Sequence, residues 1–272
     1  LKRLEYRGYD SAGLATLHNN QIQEKKCTGR VEKLEKILFK NPSLGNVGIG
    51  HVRWATHGVP NEINAHPHSS EVVSVVHNGI IENFQELREY LQKRGIQHTT
   101  DTDTETIALL TQAMIEDGYK PIEAAKKTID KLTGAFALCF LFEGHNDLMV
   151  IARKGSPLAI GIGKGEMFVG SDAIALSPMT NKISYLEEGD FAVLTRANVQ
   201  VWDQSGALVE REVKTINTQN TQVQKDGYQH FMEKEIHEQP RVISLALEYY
   251  FDPNTGKITL PDGVDINFND FE

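Results

Sequence analysis

The sequence predicts an α+β protein in which sheets and helices are stacked as layers. Strand-like and helix-like runs come in blocks and do not alternate one for one, which disfavours βαβ units. Residues 135–142 form the longest apolar run and have the length of a buried strand. Within a helix expected over 103–117, Ile107, Leu110 and Met114 recur at i, i+3 and i+7, so one apolar face is available to lie on a sheet.

The remaining elements follow in chain order. A helix-like opening, Leu1-Lys2-Arg3-Leu4-Glu5-Tyr6, precedes two short strands over 12–17 and 21–26, joined through His18-Asn19-Asn20 by hairpin-turn chemistry. A helix over 31–39 stops before Asn41-Pro42, because proline disfavours helical geometry in its predecessor. Strands are expected over 47–54 and 72–77, the second closed by a turn at Asn78-Gly79. Helices over 82–94, 103–117 and 121–132 follow, the middle one with a capped start at Thr102 or Asp103. Strands then fit 135–142, 147–154, 158–162, 166–170, 182–186, 190–195 and 198–203, with a short helix at Ala173–Leu176. The polar composition of 214–227 marks an interdomain linker, a further helix fits 231–247, and the acidic tail from 252 is rich in Asp, Asn, Gly and Pro.

Composition excludes several function classes. At 272 residues, 40% hydrophobic and 24% charged, the chain has the makings of one full globular domain with residues to spare. No apolar run reaches the roughly 18 residues needed to span a bilayer, so no membrane role is expected. A net charge of −9 with scattered Lys and Arg argues against nucleic acid and leaves a small molecule as the expected partner. Two cysteines, Cys27 and Cys139, are too few for a disulfide framework; structural thiols in a reducing cytoplasmic setting are expected. No metal or cofactor is expected. His66 and His68 lack a convincing third ligand, and Gly161, Gly163 and Gly165 lack the GK[ST] ending of a phosphate loop and suit a tight hairpin.

Three places hold chemistry. In His51-Val52-Arg53-Trp54-Ala55-Thr56-His57-Gly58, Arg53 at a strand end can hold a carboxylate by two parallel hydrogen bonds while Trp54 shields the pair; the same residues also suit a surface salt bridge beside a core Trp. His77-Asn78-Gly79 offers a side-chain amide and an open backbone N–H, the donors of an oxyanion hole, or else a plain turn. Asp103 can bind an ammonium group or cap its helix.

Together the segments Arg3-Leu4-Glu5-Tyr6-Arg7-Gly8-Tyr9-Asp10-Ser11-Ala12-Gly13, Arg53-Trp54-Ala55-Thr56-His57-Gly58, Asn64-Ala65-His66-Pro67-His68, His77-Asn78-Gly79-Ile80-Ile81-Glu82-Asn83 and Thr102-Asp103-Thr104-Glu105 resemble the glutaminase domain of the glutamine:fructose-6-phosphate amidotransferases. Phe231-Met232-Glu233-Lys234-Glu235-Ile236-His237-Glu238-Gln239-Pro240 resembles the opening of that family's sugar-isomerase half. The related amidophosphoribosyltransferases carry motifs resembling His-Arg-Gly-Gln-Asp-Ser-Ala-Gly and Arg-Tyr-Ser-Thr, where Tyr9 and Trp54-Ala55-Thr56 stand here. They remain the alternative, together with a glutamine-binding module without catalysis.

The resemblance implies a four-layer αββα sandwich of the N-terminal-nucleophile hydrolase type, with residues 1–217 as glutaminase domain, 218–230 as linker and 231–272 as the start of the isomerase region. It implies a cysteine nucleophile upstream of Leu1 in a Met-Cys-Gly opening, so that this stretch by itself is expected to be inactive. Its thiolate would attack the glutamine amide, giving a γ-glutamyl thioester and ammonia. Asn78 and the Gly79 N–H would stabilise the oxyanion, Arg53 and Asp103 would bind the α-carboxylate and α-ammonium of L-glutamine, and Trp54, Thr56 and His57 would line or close the pocket. Fructose 6-phosphate would bind only in the isomerase half, and the full-length protein would be a homodimer.

Overall fold

The computed structural model describes residues 1–55, 58–216, 227–252 and 257–258. The chain divides into two units, Leu1–Gln222 and Val223–Glu272.

In the first unit a 3-10 helix (Lys2–Arg7) leads into β1 (Ser11–His18) and β2 (Gln21–Thr28). Their hairpin turns at Asn19 and Asn20, both at positive φ (51° and 67°), the geometry that suits the right-handed twist of the flanking strands. Next come α1 (Val31–Lys40), β3 (Val47–Arg53), β4 (His68–Ser69), β5 (Val73–Ile81), α2 (Phe84–Lys93), α3 (Asp103–Glu116) and α4 (Pro121–Ile129). The rest is β6 (Gly134–Phe142), β7 (Met149–Lys154), β8 (Ala159–Ile162), β9 (Met167–Gly170), α5 (Ala173–Leu176), β10 (Lys182–Tyr185), β11 (Phe191–Leu194), β12 (Val199–Trp202), β13 (Leu208–Val209) and β14 (Val213–Thr215).

Seven antiparallel strands in the order β13-β12-β11-β7-β6-β5-β4 form the central sheet. Side chains alternate across it, so each strand feeds two cores. Val73 and Val75 of β5, and Phe136, Leu138, Phe140 and Phe142 of β6, meet Ile107, Leu110 and Met114 of α3 and Leu87 and Leu91 of α2. From the opposite face Ala137, Cys139, Leu141, Ile151, Ala192 and Leu194 meet Ala15, Ile49, Leu158 and Ile160 of a second layer. That layer consists of two smaller sheets, β2-β1-β3 and β14-β10-β8-β9. Outside them lie α1, whose Val31 and Leu34 pack on Ala12 and Cys27, and α5, whose Leu176 packs on Ala159 and Ile183. Helices, sheet, sheets and helices therefore stack as αββα, and burying each large side chain between layers contributes about 1.5–3 kcal/mol.

Four expectations need correction. Asn78-Gly79 is no turn: β5 continues through it to Ile81, with Asn78 opposite Ala137 and Gly79 opposite Phe136. Gly79 sits at φ 140°, and a Cβ there would collide with the Ala135 carbonyl oxygen, so glycine serves the close approach of two strands instead of a reversal. The strand expected over 47–54 ends at Arg53, and Trp54 is 63% exposed, so it is not a core residue. Asp103 is no cap: Thr102 is the N-cap residue, with no side-chain cap bond, and the Asp103 carboxylate accepts from the Ile81 N–H of β5 at 2.8 Å. Finally, β14 pairs with β10 inside the stretch whose composition reads as a linker, because Ile183–Lys214 pairing completes a sheet edge with polar residues outward. The glycine-rich 161–165 stretch forms the expected hairpin, with Gly163 N–H donating to Glu166 O at 3.0 Å.

In the second unit, α6 (Phe231–Tyr250) continues through Pro240 and is followed by the antiparallel pair β15 (Phe251–Asp252) and β16 (Lys257–Ile258). The helix expected over 231–247 thus runs on to Tyr250; most of the tail and 217–226 lie outside the described residues.

The strand placement of Gly79 has a measurable consequence. Gly79→Ala is expected to lower the unfolding free energy by about 2–4 kcal/mol, read from the urea midpoint, since the clash and the positive φ both oppose the side chain. In a solvent-facing turn the clash would be absent and only the left-handed backbone would oppose the change, at about 1–2 kcal/mol.

Candidate active site

Where the central sheet faces the divided second layer, a cavity of about 830 Å³ opens between β3 and β9. Ala137, Cys139 and Met149 form its apolar floor, and Gly48 to Arg53 on one side and Met167 to Gly170 on the other form its walls. Arg53, Trp54, Asn78, Gly79 and Asp103 all line it. Five of the seven site residues expected from the sequence therefore share one cavity; Thr56 and His57 lie outside the described residues.

Arg53 is 4% exposed and reaches the cavity from the end of β3. Its Nη2 donates to Gly58 O at 3.1 Å, and its Nη1 lies 3.8 Å from Asp10 Oδ1. Burial lowers the guanidinium pKa from its usual value, opposed by the charges of Asp10, Asp103 and Asp101; arginine nevertheless stays cationic at neutral pH. Asp10 does further work that the sequence reading missed. Its Oδ2 accepts the Ala55 N–H and its backbone N–H donates to Arg53 O at 2.9 Å, so one residue holds the chain on both sides of the Arg53-Trp54 corner, while Oδ1 accepts the Ser11 hydroxyl. The indole of Trp54 lies over Gly8, where any Cβ would overlap the ring.

The pleat decides what β5 shows to the cavity. Val73, Val75 and Ile81 face the helices, so His77 does too, while Asn78 faces the cavity and is exposed there. His77 Nδ1 lies 3.1 Å from Thr104 Oγ1. The approach to α3 is fixed by Glu105, which accepts from the backbone and hydroxyls of both Thr99 and Thr100. Burial pushes the Glu105 carboxyl up, but these four kinds of contact outweigh it and leave its pKa below the ordinary value. Arg88 Nη2 donates to Thr100 O and Thr102 O at 2.9 and 2.7 Å, which leaves Asp103 at the first position of a rigid helix. Asn64 ties the loop before β4 to the approach to α3, exchanging hydrogen bonds of 3.0 Å with Asp101. Of these supports only Glu105 carried a spacing signal, as partner in the capped helix start at Thr102 or Asp103; Asp10, Asn64 and Thr104 were visible only as members of the motif strings.

Beneath the site lies a cluster of imidazoles. His51 and His66 have ring centroids 4.3 Å apart, His66 and His68 4.9 Å, and His68 Nε2 lies 3.0 Å from Thr102 Oγ1. Burial, with the neighbouring cations and imidazoles, lowers the His51 pKa to about 3 and holds His66 and His68 well below 6.5. Among the described residues no three His, Cys, Asp or Glu side chains are placed to hold a metal ion. Both thiols are buried, and burial pushes Cys139 up to about 12.

A cation and a carboxylate on the lining of one cavity, together with an Asn-Gly pair, can bind a zwitterion and polarise an amide. Residues 51–178 match the family model of a glutamine amidotransferase domain. The chain carries a glutamine amidotransferase domain. It is also similar, over 100% of its length and at 52% identity, to a glutamine–fructose-6-phosphate aminotransferase [isomerizing] of Bradyrhizobium diazoefficiens, covering 45% of that protein. Enzymes of the same name from Brucella abortus and Mesorhizobium japonicum are 52% and 54% identical over 99% and 93% of the chain, which covers 44% and 42% of them. The chain thus spans less than half the length of the curated relatives it matches. Among solved structures, the glutamine phosphoribosylpyrophosphate amidotransferase of B. subtilis complexed with ADP and GMP superposes with a TM-score of 0.64 at 24% identity, covering 76% of this chain and 45% of that one. A glutamine aminotransferase class-II domain protein from Silicibacter pomeroyi gives 0.51 at 14% identity, covering 71% and 91%. These likenesses show the fold, the four-layer αββα sandwich described above. Among the described residues no helix is long and apolar enough to cross a membrane.

The buried imidazoles give the amidotransferase domain a defined acid response. Above pH 6.5 they are neutral in folded and unfolded chains alike; as pH falls from 6.5 toward 3 the unfolded chain binds protons that the folded one refuses, so stability falls with pH. Each group contributes up to about 1.4 kcal/mol per pH unit. Urea midpoints at pH 7, 6 and 5 are expected to decline steadily, and His51→Gln is expected to flatten the slope by about one group's share.

Proposed function

We propose that this domain hydrolyses L-glutamine and supplies the ammonia for converting fructose 6-phosphate to glucosamine 6-phosphate, an early step of amino-sugar synthesis in the cytoplasm. The observation that carries the reading is the convergence of Arg53, Asn78, Gly79 and Asp103 on one cavity. Arg53 binds the α-carboxylate and Asp103 the α-ammonium, the charges that distinguish the free amino acid from a glutamine side chain in a protein. Asn78 and the Gly79 N–H take the negative charge that develops on the amide oxygen during acyl transfer. Trp54, Thr56 and His57 line or close the pocket.

The nucleophile belongs to the same proposal. Neither thiol of the described fold serves: Cys139 is buried in the cavity floor with its pKa raised to about 12, and Cys27 is buried beside α1 with its pKa also raised by burial. A cysteine on an extended segment upstream of Leu1 fits the groove between the free edges of β3 and β9, which is strand-shaped and apolar-floored. The thiolate attacks the glutamine amide carbon, the C–N bond breaks, and ammonia leaves with a proton drawn from the cysteine's own α-amino group acting as shuttle; water then hydrolyses the thioester to glutamate.

Within this proposal, residues 1–217 are the glutaminase domain, 218–230 the linker and 231–272 the start of the sugar-isomerase region, whose remaining part holds fructose 6-phosphate and the homodimer contact. Support comes from the three relatives at 52–54% identity, each named for the fructose-6-phosphate reaction.

In the full-length protein Asn78→Ala is expected to cut glutamine turnover by about 10²–10³-fold, measured as glutamate release. Near-normal turnover rejects the oxyanion role. Labelling with a glutamine-analogue electrophile and mapping the peptide tests the nucleophile: modification of a processed N-terminal cysteine is expected, and modification elsewhere overturns it.

A further inference from the structure

His77 has no role in the binding scheme above, yet it is 3% exposed and stands between its two halves. It precedes Asn78 on β5, and its ring leaves the opposite face of the strand toward α3. There its Nδ1 lies 3.1 Å from Thr104 Oγ1 and 3.8 Å from Asp103 Oδ2. The Thr104 hydroxyl donates to Asp103 Oδ1 at 3.4 Å, while Asp103 Oδ2 accepts the Ile81 N–H at 2.8 Å. Because the single hydroxyl proton of Thr104 goes to the carboxylate, only its lone pairs face His77, so the imidazole must present Nδ1–H. His51, on β3 in the facing layer, hydrogen-bonds the His77 backbone and holds it from the other side.

We propose that His77 is a positioning residue, acting through Thr104 to set the Asp103 carboxylate at a fixed distance from Asn78-Gly79. The inference rests on the glutamine reading and deepens it. A glutamine molecule bridges from the ammonium site to the oxyanion donors, so the span between those groups must match its length. The His77-Thr104-Asp103 chain and the Ile81-Asp103 bond together tie that span to two adjacent elements, β5 and α3. An ångström of misplacement in such a frame costs up to about a hundredfold in rate.

The test uses the full-length protein and steady-state glutamate release. His77→Ala and Thr104→Val are each expected to raise the glutamine KM about tenfold to a hundredfold. His77→Asn, which keeps an N–H donor near the Nδ1 position, is expected to recover most of the loss. Asp103→Asn sets the reference, and adding His77→Ala to it is expected to raise KM little further, since both act on one carboxylate. If His77→Ala or Thr104→Val lowers kcat with KM unchanged, or His77→Asn is as poor as His77→Ala, the positioning role is overturned while the glutamine reading stands. If Asp103→Asn itself leaves KM unchanged, the ammonium assignment falls and the proposal falls with it. Thr104→Val, an isosteric change at a buried helix position, keeps the test decisive should His77→Ala fail to fold.

Discussion

The alternation of side chains along β5 is the constraint on which the rest depends. One pleat gives the helix layer Val73, Val75, His77 and Ile81, and gives the cavity Val76, Asn78 and Ile80. A shift of one residue in the β5–β6 register would send every member of each set to the wrong side. The register is protected by the apolar run of β6, whose phenylalanines at 136, 140 and 142 belong under the helices while Ala137 and Cys139 leave room for the cavity floor. Small residues opposite Asn78 and large ones opposite its neighbours are thus part of the same design.

A polar site built on a sheet between two cores must satisfy groups that water cannot reach. Here the solution is a set of short side-chain bridges to backbone. Asp10 holds Ala55, Glu105 holds Thr99 and Thr100, Arg88 holds two carbonyls, and Asp103 holds Ile81. Hydrogen bonds to charged groups are each worth about 1.5–3 kcal/mol in such surroundings, against about 1 for neutral ones. The loops that carry the site are therefore ordered by carboxylates and a guanidinium, not by apolar packing.

Much of this was legible in the sequence because periodicity reports burial. The apolar run of β6, the one-sided α3 and the Asn-Asn hairpin each follow from a local rule, and α5 at Ala173–Leu176 matches the expected bounds. What local rules could not give was the use of a residue by a partner distant in sequence. Asn78-Gly79 has turn chemistry, but the neighbouring strand claims it through the close approach of Ala135. Asp103 has cap chemistry, but the amide of Ile81, 22 residues earlier, claims its carboxylate. The grouping of Arg53, Asn78 and Asp103 was legible only through five motifs in order, since no spacing rule joins a strand end, a strand interior and a helix start.

The two sealed sulfurs have a practical bearing. A thiol with a pKa near 12 is ionised in only about one molecule in 10⁵ at neutral pH, so Cys139 is silent toward alkylating agents even though it lines the cavity. Cys27, shut between α1 and the β1–β2 hairpin and likewise shifted upward, adds little. The two thiols of the described fold therefore add little background when a more reactive cysteine elsewhere in the protein is labelled.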